Sequence, residues 1–279
     1  MPELFSGKSS KEGLLNWSLI SAVNNEEILK SCLLNSPDVR FASEVILQTG
    51  YTSAAAAYNA AIQKAKTDLL VFVHQDVYLP EGWMVAVQNA MEIVSSTDPD
   101  WGVFGVWGPR PSGEEAGFVY DGAWRRVLGN QFKGGLEVDS LDEVVLILRK
   151  SGGLQFDPQI PGYHMYGADI CQEAKKQGRK CYAIAAFCIH NTSQYGMLPW
   201  QFWKAYLAMR RKWKDQLPIK TTCTEISRWC WPMIRWNVVR AINLITGRDL
   251  QPTKRVDSPV KLYHDLIGSK LVSPLKQSV

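Results

Sequence analysis

The sequence lacks long apolar runs, and this absence weighs against a membrane-spanning protein. Its 279 residues contain no apolar stretch near the roughly 18–20 residues that cross a bilayer, and short runs such as 183–189 are the longest candidates. The N-terminus has no basic segment followed by an apolar core, so we expect no secretory signal. Together these features predict a chain without a membrane-spanning anchor.

Three catalytic motifs are also missing. The sequence has no G-x-x-x-x-G-K-[ST] loop, no G-x-G-x-x-G after its first predicted strand and no G-x-S-x-G elbow. These absences weigh against P-loop ATPases, classical dehydrogenases and serine hydrolases. The six cysteines form no C-x-x-C pair, and a chain of this length needs no disulfides, so we expect reduced thiols.

Charge is present but unevenly distributed. Residues 1–140 carry 10 Lys/Arg against 17 Asp/Glu, whereas residues 141–279 carry 21 against 10. Residues 200–279 alone hold 15 Lys/Arg, five Asp/Glu and six of the eleven tryptophans. This pattern predicts a globular unit followed by a part that meets an anionic or lipid surface. We expect no nucleic-acid partner, because no nucleic-acid-binding module accompanies the charge.

The first 95 residues alternate between strand and helix patterns. Strands are predicted at 17–23, 44–47 and 69–73, and helices at 28–34, 53–65 and 81–94. The last of these strands is apolar throughout, which is typical of a strand buried on both faces of a parallel sheet. The alternation predicts an α/β doubly wound unit, in which ligands bind at the carboxyl ends of the strands.

The second half is less regular. Strands are predicted at 144–148 and 181–189, helices within 162–176, 199–213 and 224–250, and weak order beyond Pro252. The composition predicts two domains, one over residues 1–217 and a basic, Trp-rich helical extension over 218–279.

Three polar residues lie where predicted strands or loops end. Asp76, after the buried strand, could bind a divalent cation or cap the following helix. Asp169, near the start of a helix, could act as a general base or stabilise the first turn. His190, at a strand end, could bind a metal or a phosphate, or be an ordinary core histidine. The residues alone leave these alternatives open.

Six fragments in a fixed order give a more specific indication. They are LISAVNNE at 19–26, SAAAAYNAAI at 53–62, LVFVHQDV at 70–77, VDSLDE at 138–143, LQFD at 154–157 and HMYGAD at 164–169. This series resembles family 2 glycosyltransferases, and its FVHQDV form is similar to the branch typified by streptomycin-cluster glycosyltransferase-like proteins. The resemblance covers about residues 16–217. It implies a Rossmann-like nucleotide-sugar-binding domain with a mainly parallel mixed sheet (the A-type glycosyltransferase fold), followed by the helical extension.

The resemblance also implies an activity. An inverting hexosyltransferase would move a sugar from a nucleoside-diphosphate sugar to a saccharide or lipid-linked acceptor, in bacterial surface-polysaccharide or glycoconjugate synthesis. A Mn²⁺ or Mg²⁺ cofactor on Asp76 and His190 would neutralise the diphosphate, and Asp169 would be the base. The donor contacts that it implies are Asn24, Glu26, Asn59, Gln75 and Asp76.

Two motifs depart from the family pattern. The acidic metal motif is reduced to His-Gln-Asp, and the Gly-Glu-Asp base motif appears as Gly167-Ala168-Asp169. The reduction favours an alternative, a catalytically inactive glycosyltransferase-like protein that binds sugar nucleotides or carbohydrates. A related nucleotidyltransferase is a third hypothesis.

Aromatic side chains are candidates for acceptor binding. Tyr163, His164 and Trp107 are predicted to contact the acceptor, with Trp124 as a further aromatic. In the extension, tryptophans alternate with arginines over 224–250, which predicts either a peripheral membrane contact or a helix packed on the domain. We therefore expect a cytoplasmic protein, which under the first of these alternatives would be peripheral at the inner membrane face.

Overall fold

The computed structural model describes residues 15–193, 198–247 and 254–273, which contain 14 strands and seven α-helices. The strands are β1 (Trp17–Val23), β2 (Glu44–Thr49), β3 (Leu69–Val73), β4 (Val77–Tyr78), β5 (Val103–Gly105), β6 (Trp107–Pro109), β7 (Glu115–Asp121), β8 (Arg126–Gly129), β9 (Gly135–Val138), β10 (Val145–Arg149), β11 (Cys181–Ile184), β12 (Cys188–His190), β13 (Ile219–Lys220) and β14 (Glu225–Ile226). The helices are α1 (Glu26–Ser31), α2 (Ala54–Lys64), α3 (Trp83–Ser95), α4 (Tyr166–Lys176), α5 (Trp200–Lys212), α6 (Trp231–Ile245) and α7 (Pro259–Gly268).

The main sheet has seven strands in the order β2-β1-β3-β10-β5-β11-β9. β1 is parallel to β2 and β3, β10 is antiparallel to β3 and β5, β11 is parallel to β5, and β9 is antiparallel to β11. Five of the seven strands therefore run in one direction, which confirms the predicted α/β class with a mainly parallel mixed sheet. Because β10 runs against β3, its amino end lies at the carboxyl edge of β3.

Helices cover both faces of this sheet and bury β3 completely. Val71 packs in one apolar cluster and Phe72 in another, as expected for a strand buried on both faces. The alanines of α2 allow that helix to approach the sheet closely, and Ala57 and Ala61 are fully buried. Ser53 is the N-cap of α2, and its Oγ accepts from the N–H of Ala56 at 3.3 Å.

Asp76 does not cap the helix that follows it. The carboxylate of Asp38 takes that role, accepting from the backbone N–H groups of Gly82 (3.1 Å) and Met84 (2.9 Å) at the start of α3. The helix therefore begins at Trp83, later than the predicted 81–94. Asp76 is left available for the site described below.

The prediction of one strand over 181–189 is wrong. The chain leaves the main sheet after β11, and β12 joins a five-stranded sheet in the order β4-β12-β7-β6, with β8 paired to β7. Burial explains the error, because 181–189 is apolar and buried throughout, so its sequence does not mark the change of sheet.

Two predictions for the C-terminal part are also wrong. Residues 224–250 are not one helix, since β14 pairs with β13 before α6 begins, and 248–250 lie outside the described residues. Beyond Pro252 the chain is ordered over 254–273 and forms α7, whose Tyr263 packs against Tyr78 and Phe187. Among the described helices, none combines the length and apolarity needed to cross a membrane.

Candidate functional site

Polar residues converge where β3 and β12 end. His74 and Asp76 follow β3 directly, and His190 is the last residue of β12. β12 pairs with β4 so that His190 lies opposite Val77. The N–H of Asn191 then donates to the carbonyl of Asp76 at 2.8 Å, which fixes the two strand ends together. The switch of β12 between sheets therefore positions His190 beside Asp76.

His74, Asp76 and His190 form a cluster that could hold a metal ion, with one ligand atom of each within 4.8 Å of the others. Imidazole nitrogens suit transition metals better than Mg²⁺, which prefers oxygen ligands such as the carboxylate of Asp76. Of the two ring nitrogens of His190, Nε2 faces Asp76, whereas Nδ1 faces Asp121 and has no hydrogen-bond partner among the described residues. The donor set thus fits a divalent ion, and it adds His74, which the sequence had placed nearby without predicting it as a ligand.

Asp76 and His190 stabilise each other's charge. His190 Nε2 lies 3.6 Å from Asp76 Oδ1, and its Nδ1 lies 3.7 Å from Asp121 Oδ2. Burial opposes both charges, but attraction outweighs it, so the pKa of Asp76 is well below its usual range and that of His190 is raised. A metal ion that used His190 would therefore have to displace a proton from it.

His74 is neutral near pH 7. Burial lowers its pKa to about 4, against the opposing effect of Asp76. Its Nε2 lies 2.8 Å from the hydroxyl of Tyr166, the first residue of α4. Neutral imidazole is the form that binds metals, so this environment favours a ligand role.

The C-terminal segment completes the cluster. The guanidinium of Arg255 lies 3.5 Å from Asp76 Oδ2. The Asn191 amide holds this segment, donating to the carbonyl of Val256 at 2.9 Å and accepting from its N–H at 2.8 Å. Arg255 could not be recognised in the sequence, where it is one of 15 Lys/Arg residues in the basic stretch 200–279.

A second loop reaches the site through Gln75. Its Oε1 accepts from the N–H groups of Asn24 and Asn25, each at 3.0 Å. The loops that follow the carboxyl ends of β1 and β3 therefore meet and form a crevice. Glu26 is exposed and pairs with Lys30 at 3.2 Å, so its donor contact stays a prediction.

Asn59 lies apart from this cluster and has a visible structural task. Its Nδ2 donates to the carbonyl of Phe156 at 2.7 Å, and its Oδ1 accepts from the N–H of Phe156 at 3.0 Å. Both ends of the amide are thus committed to fixing the loop that precedes α4. A direct donor contact by Asn59 stays a prediction.

Asp169 lies in a buried ion cluster between α4 and the end of α5. Its side chain is 2% exposed, and its Oδ1 accepts from Trp213 Nε1 and from Lys212 Nζ, each at 2.8 Å. Lys212 also pairs with Asp157 at 2.7 Å and Glu173 at 2.8 Å. Burial raises the pKa of Asp169 even though Lys212 lowers it. This environment suits an anchor of α4, and the base role stays a prediction.

The predicted acceptor residues are dispersed. Trp107 is buried in the core. Tyr163 donates its hydroxyl hydrogen to the carbonyl of Tyr51 at 2.9 Å, and the ring of His164 lies 5.3 Å from that of Phe202. Their contact with an acceptor stays a prediction.

An aromatic and basic cavity of about 440 Å³ lies between α6 and the turn after β7. Its lining includes Trp124, Cys223, Arg235, Trp236 and Arg240. Trp124, noted in the sequence as a further aromatic, is 54% exposed there and is available to an incoming ligand.

Comparison with protein families now identifies the class. Residues 18–201 match the glycosyltransferase-like family, and this match covers more than half of the chain. The chain therefore belongs to the glycosyltransferase-like family, and the predicted relation to family 2 glycosyltransferases is confirmed.

One curated relative and several solved structures are similar to the chain. The relative is "ATP synthase subunits region ORF 6" of Fuscovulum blasticum, 31% identical over 137 residues that cover 47% of this chain and 53% of that protein. The chain thus spans about half the length of this relative. GalNAc-T7 with UDP, GalNAc and Mn²⁺ has a TM-score of 0.48 and 11% identity, covering 95% of this chain and 58% of its own. The mannosyltransferase PcManGT from Pyrobaculum calidifontis, in complex with GDP-Man and Mn²⁺, has a TM-score of 0.46 and 10% identity, covering 95% and 83%.

Proposed function

We propose that the chain is a metal-dependent, inverting hexosyltransferase that uses a nucleoside-diphosphate sugar. The observation that carries the proposal is the cluster of His74, Asp76 and His190 at the carboxyl edge of the sheet, in a member of the glycosyltransferase-like family. Ligands bind at that edge in open α/β sheets. The convergence of the loops after β1 and β3 through Gln75 supports a nucleotide position beside the cluster.

In the proposed reaction, different residues act on the leaving group and on the acceptor. A cation on His74, Asp76 and His190 would act as a Lewis acid on the diphosphate leaving group. Arg255 adds a fixed positive charge next to Asp76. A carboxylate near the start of α4 removes the proton of the acceptor hydroxyl, which attacks the anomeric carbon from the face opposite the diphosphate, so configuration inverts. Asp169 and Glu143 are the candidates for this base.

For the acceptor we propose a lipid-linked saccharide at the inner membrane face, in bacterial surface-polysaccharide or glycoconjugate synthesis. Support comes from the cavity beside α6, where Trp124 and Trp236 can pack on a sugar ring and Arg235 can meet a phosphate. The six free cysteines fit a cytoplasmic location. We infer the domain boundary near residue 217 on the same grounds as before, the change to a basic, Trp-rich composition.

Titration of nucleotide sugars by calorimetry, with and without Mn²⁺, tests the function. The donor to use is the one that raises the melting temperature most in a screen, because a ligand at 100 times its dissociation constant stabilises by about 2.7 kcal/mol. We expect Asp76→Asn to lose Mn²⁺-dependent donor binding, whereas Asp100→Asn, at an exposed aspartate, keeps it.

Product analysis separates the proposal from its alternatives. Release of a nucleoside diphosphate with transfer to an acceptor supports the transferase. Donor binding without turnover under any acceptor supports the inactive binding protein, and release of pyrophosphate supports a nucleotidyltransferase.

A further inference from the structure

The amino end of β10 brings a second acidic group to the crevice. β10 is antiparallel to β3, with Val145 opposite Val73, and the N–H of His74 donates to the carbonyl of Val144 at 3.2 Å. Asp142 and Glu143 immediately precede this point. They therefore lie at the same sheet edge as the His74 cluster, although at least 66 positions separate them from His74 and Asp76 in the sequence and at least 47 separate them from His190.

Glu143 occupies the N-terminal end of α4. Its Oε1 accepts from the N–H of Gly167 at 3.2 Å. A Cβ added at Gly167 would lie 2.5 Å from the carbonyl oxygen of Leu141 and 3.2 Å from Glu143 Cγ, so a side chain does not fit there. The start of α4 thus has no side chain at position 167, and the carboxylate of Glu143 lies in the space beside the Gly167 N–H.

The three carboxylates around this helix end differ in what they are bound to. Asp169 is paired with Lys212 and Trp213, as described above. Asp142 accepts from the hydroxyl of Thr222 at 2.6 Å and from the N–H of Val144 at 3.2 Å. Among the described residues, neither Asp142 nor Glu143 pairs with a cation, so both can take a proton without breaking an ion pair. Of the two, Glu143 is the one bonded at the N-terminal end of α4.

We propose that Glu143, and not Asp169, is the general base that deprotonates the acceptor hydroxyl. This inference rests on the proposed glycosyl transfer. The hydroxyl proton passes to the Glu143 carboxylate as the acceptor oxygen bonds to the anomeric carbon. The bond from that carbon to the diphosphate oxygen breaks, its electron pair leaves with the diphosphate, and Glu143 later returns the proton to solvent.

The surroundings of Glu143 suit this task. Burial and the neighbouring charge of Asp142 raise its pKa to about 8, and the N–H groups of Gly167 and Met165 moderate the rise. A base with a pKa near the working pH is the most effective. The other titratable groups that face it are Tyr58, Tyr166 and Cys223.

Cys223 also links Glu143 to the acceptor cavity. It lines the cavity of about 440 Å³ together with Trp124 and Trp236, and it lies close enough to Asp142 and Glu143 for both to raise its pKa. The cavity lining therefore reaches the neighbourhood of Asp142 and Glu143, although neither carboxylate is among its lining residues.

The test compares Glu143→Gln, Asp169→Asn and the exposed control Glu92→Gln in the full chain. Donor binding with Mn²⁺ is measured by calorimetry, and transfer is measured from pH 6 to 10. We expect Glu143→Gln to keep the donor dissociation constant and lose about 10²–10⁴-fold in kcat, with loss of the limb that rises through about pH 8. Asp169→Asn should keep that limb and lower the melting temperature. Glu92→Gln should match the wild type in every measurement.

Two further outcomes decide the proposal. If Glu143→Gln fails to fold, Glu143→Ala with added formate replaces it, and recovery of transfer by formate supports the base role. A Glu143→Gln enzyme that keeps kcat within tenfold of the wild type overturns the inference while the transferase stands. A wild type that binds donor and transfers nothing overturns the proposed function and this inference together.

Discussion

Lys212 holds together a cluster of three carboxylates, one of which, that of Asp169, is buried. It pairs with Asp157, Asp169 and Glu173, and its side chain is 18% exposed. Removing one partner of a buried ion cluster leaves charges unpaired, so we expect Lys212→Met to lower the free energy of unfolding by about 3–5 kcal/mol. Urea denaturation measures this. Lys30→Met removes an exposed pair with Glu26 and should cost under about 1 kcal/mol.

The pH dependence of this cluster has a definite sign. The pKa of Lys212 is raised to about 12, since its three carboxylate partners outweigh burial. Its contribution to stability is therefore complete below its ordinary pKa of 10.5 and is lost as pH rises through about 12. Equal stabilities of the Lys212→Met and Lys30→Met variants would mean that the ion cluster around Lys212 does not stabilise the fold, which would contradict this expectation.

Arg255 places a positive charge beside the proposed cation. Its guanidinium is 3.5 Å from Asp76 Oδ2, so it attracts the same carboxylate that a metal ion would use. We expect Arg255→Gln to tighten Mn²⁺ binding several-fold in the absence of donor, because like charges at this distance repel. Calorimetric titration with Mn²⁺ measures this. Lys254→Gln is the neighbouring control, and weaker Mn²⁺ binding by Arg255→Gln would contradict the prediction.

At the residue scale, sequence motifs predicted which residues are metal-binding candidates, but they did not predict the contacts around those residues. The His-Gln-Asp tripeptide and His190 lie at strand ends, and strand ends are visible in a sequence. The partners of Asp169 are not, because Lys212 and Trp213 come from the far end of α5, and no local pattern indicates that a helix end returns to bury a carboxylate. The contact of Arg255 with Asp76 was not predictable for the same reason.

Among the helices, α6 has an unusually exposed apolar surface. Met233 is its only fully buried residue, and its exposed apolar residues include Trp231, Ile234, Val238, Ile242 and Ile245. Near its start, a cavity of about 510 Å³ is lined by Arg210, Arg211, Lys214 and Arg228. Apolar and basic groups together fit an anionic lipid surface.

We expect α6 to bind anionic vesicles. In a flotation assay with vesicles containing anionic phospholipid, the doubly substituted Trp231→Ser, Ile242→Ser chain should lose most of its binding. Zwitterionic vesicles should bind the wild type less, since the arginines gain nothing from them. Ile93→Ser is the matched control, because Ile93 is also exposed, at 49%, but lies on α3. Unchanged flotation of the α6 variant would contradict the membrane contact.

Elements were predictable where their period was clear. β1, β3, α2 and α5 follow the apolar patterns of the sequence closely. The change of sheet between β11 and β12 was not visible, since both are apolar and buried. The direction of β10 was equally hidden, and this direction is what brings Glu143 to the crevice.

At the scale of the whole molecule, the C-terminal segment belongs to the folded body. Leu266 of α7 is 7% exposed and packs with the second sheet, whereas Leu271 is 61% exposed. We expect Leu266→Ala to lower the free energy of unfolding by about 2–5 kcal/mol and Leu271→Ala by under about 0.5 kcal/mol. Denaturant unfolding of both variants measures the difference, and similar values would mean that α7 adds nothing to the fold.

Composition located this segment in the extension but did not indicate its packing. Its four buried apolar residues, Pro259, Tyr263, Leu266 and Val272, are too few and too widely spaced to distinguish a docked helix from a loose tail. The surface that receives them is assembled from β4, β7, β8 and the strand break at 185–187, which exists only in the folded chain.

The contact between Arg255 and Asp76 joins residues 179 positions apart. During synthesis on a ribosome, the sheet residues that surround Asp76 emerge long before Arg255 does. Until then Asp76 has His190 as its cationic neighbour. The side-chain amide of Asn191 lacks its later hydrogen-bond partner, the backbone of Val256. The crevice is therefore finished only after residue 256 has been synthesised, and a chain that stops before that point would contain the sheet without a completed site.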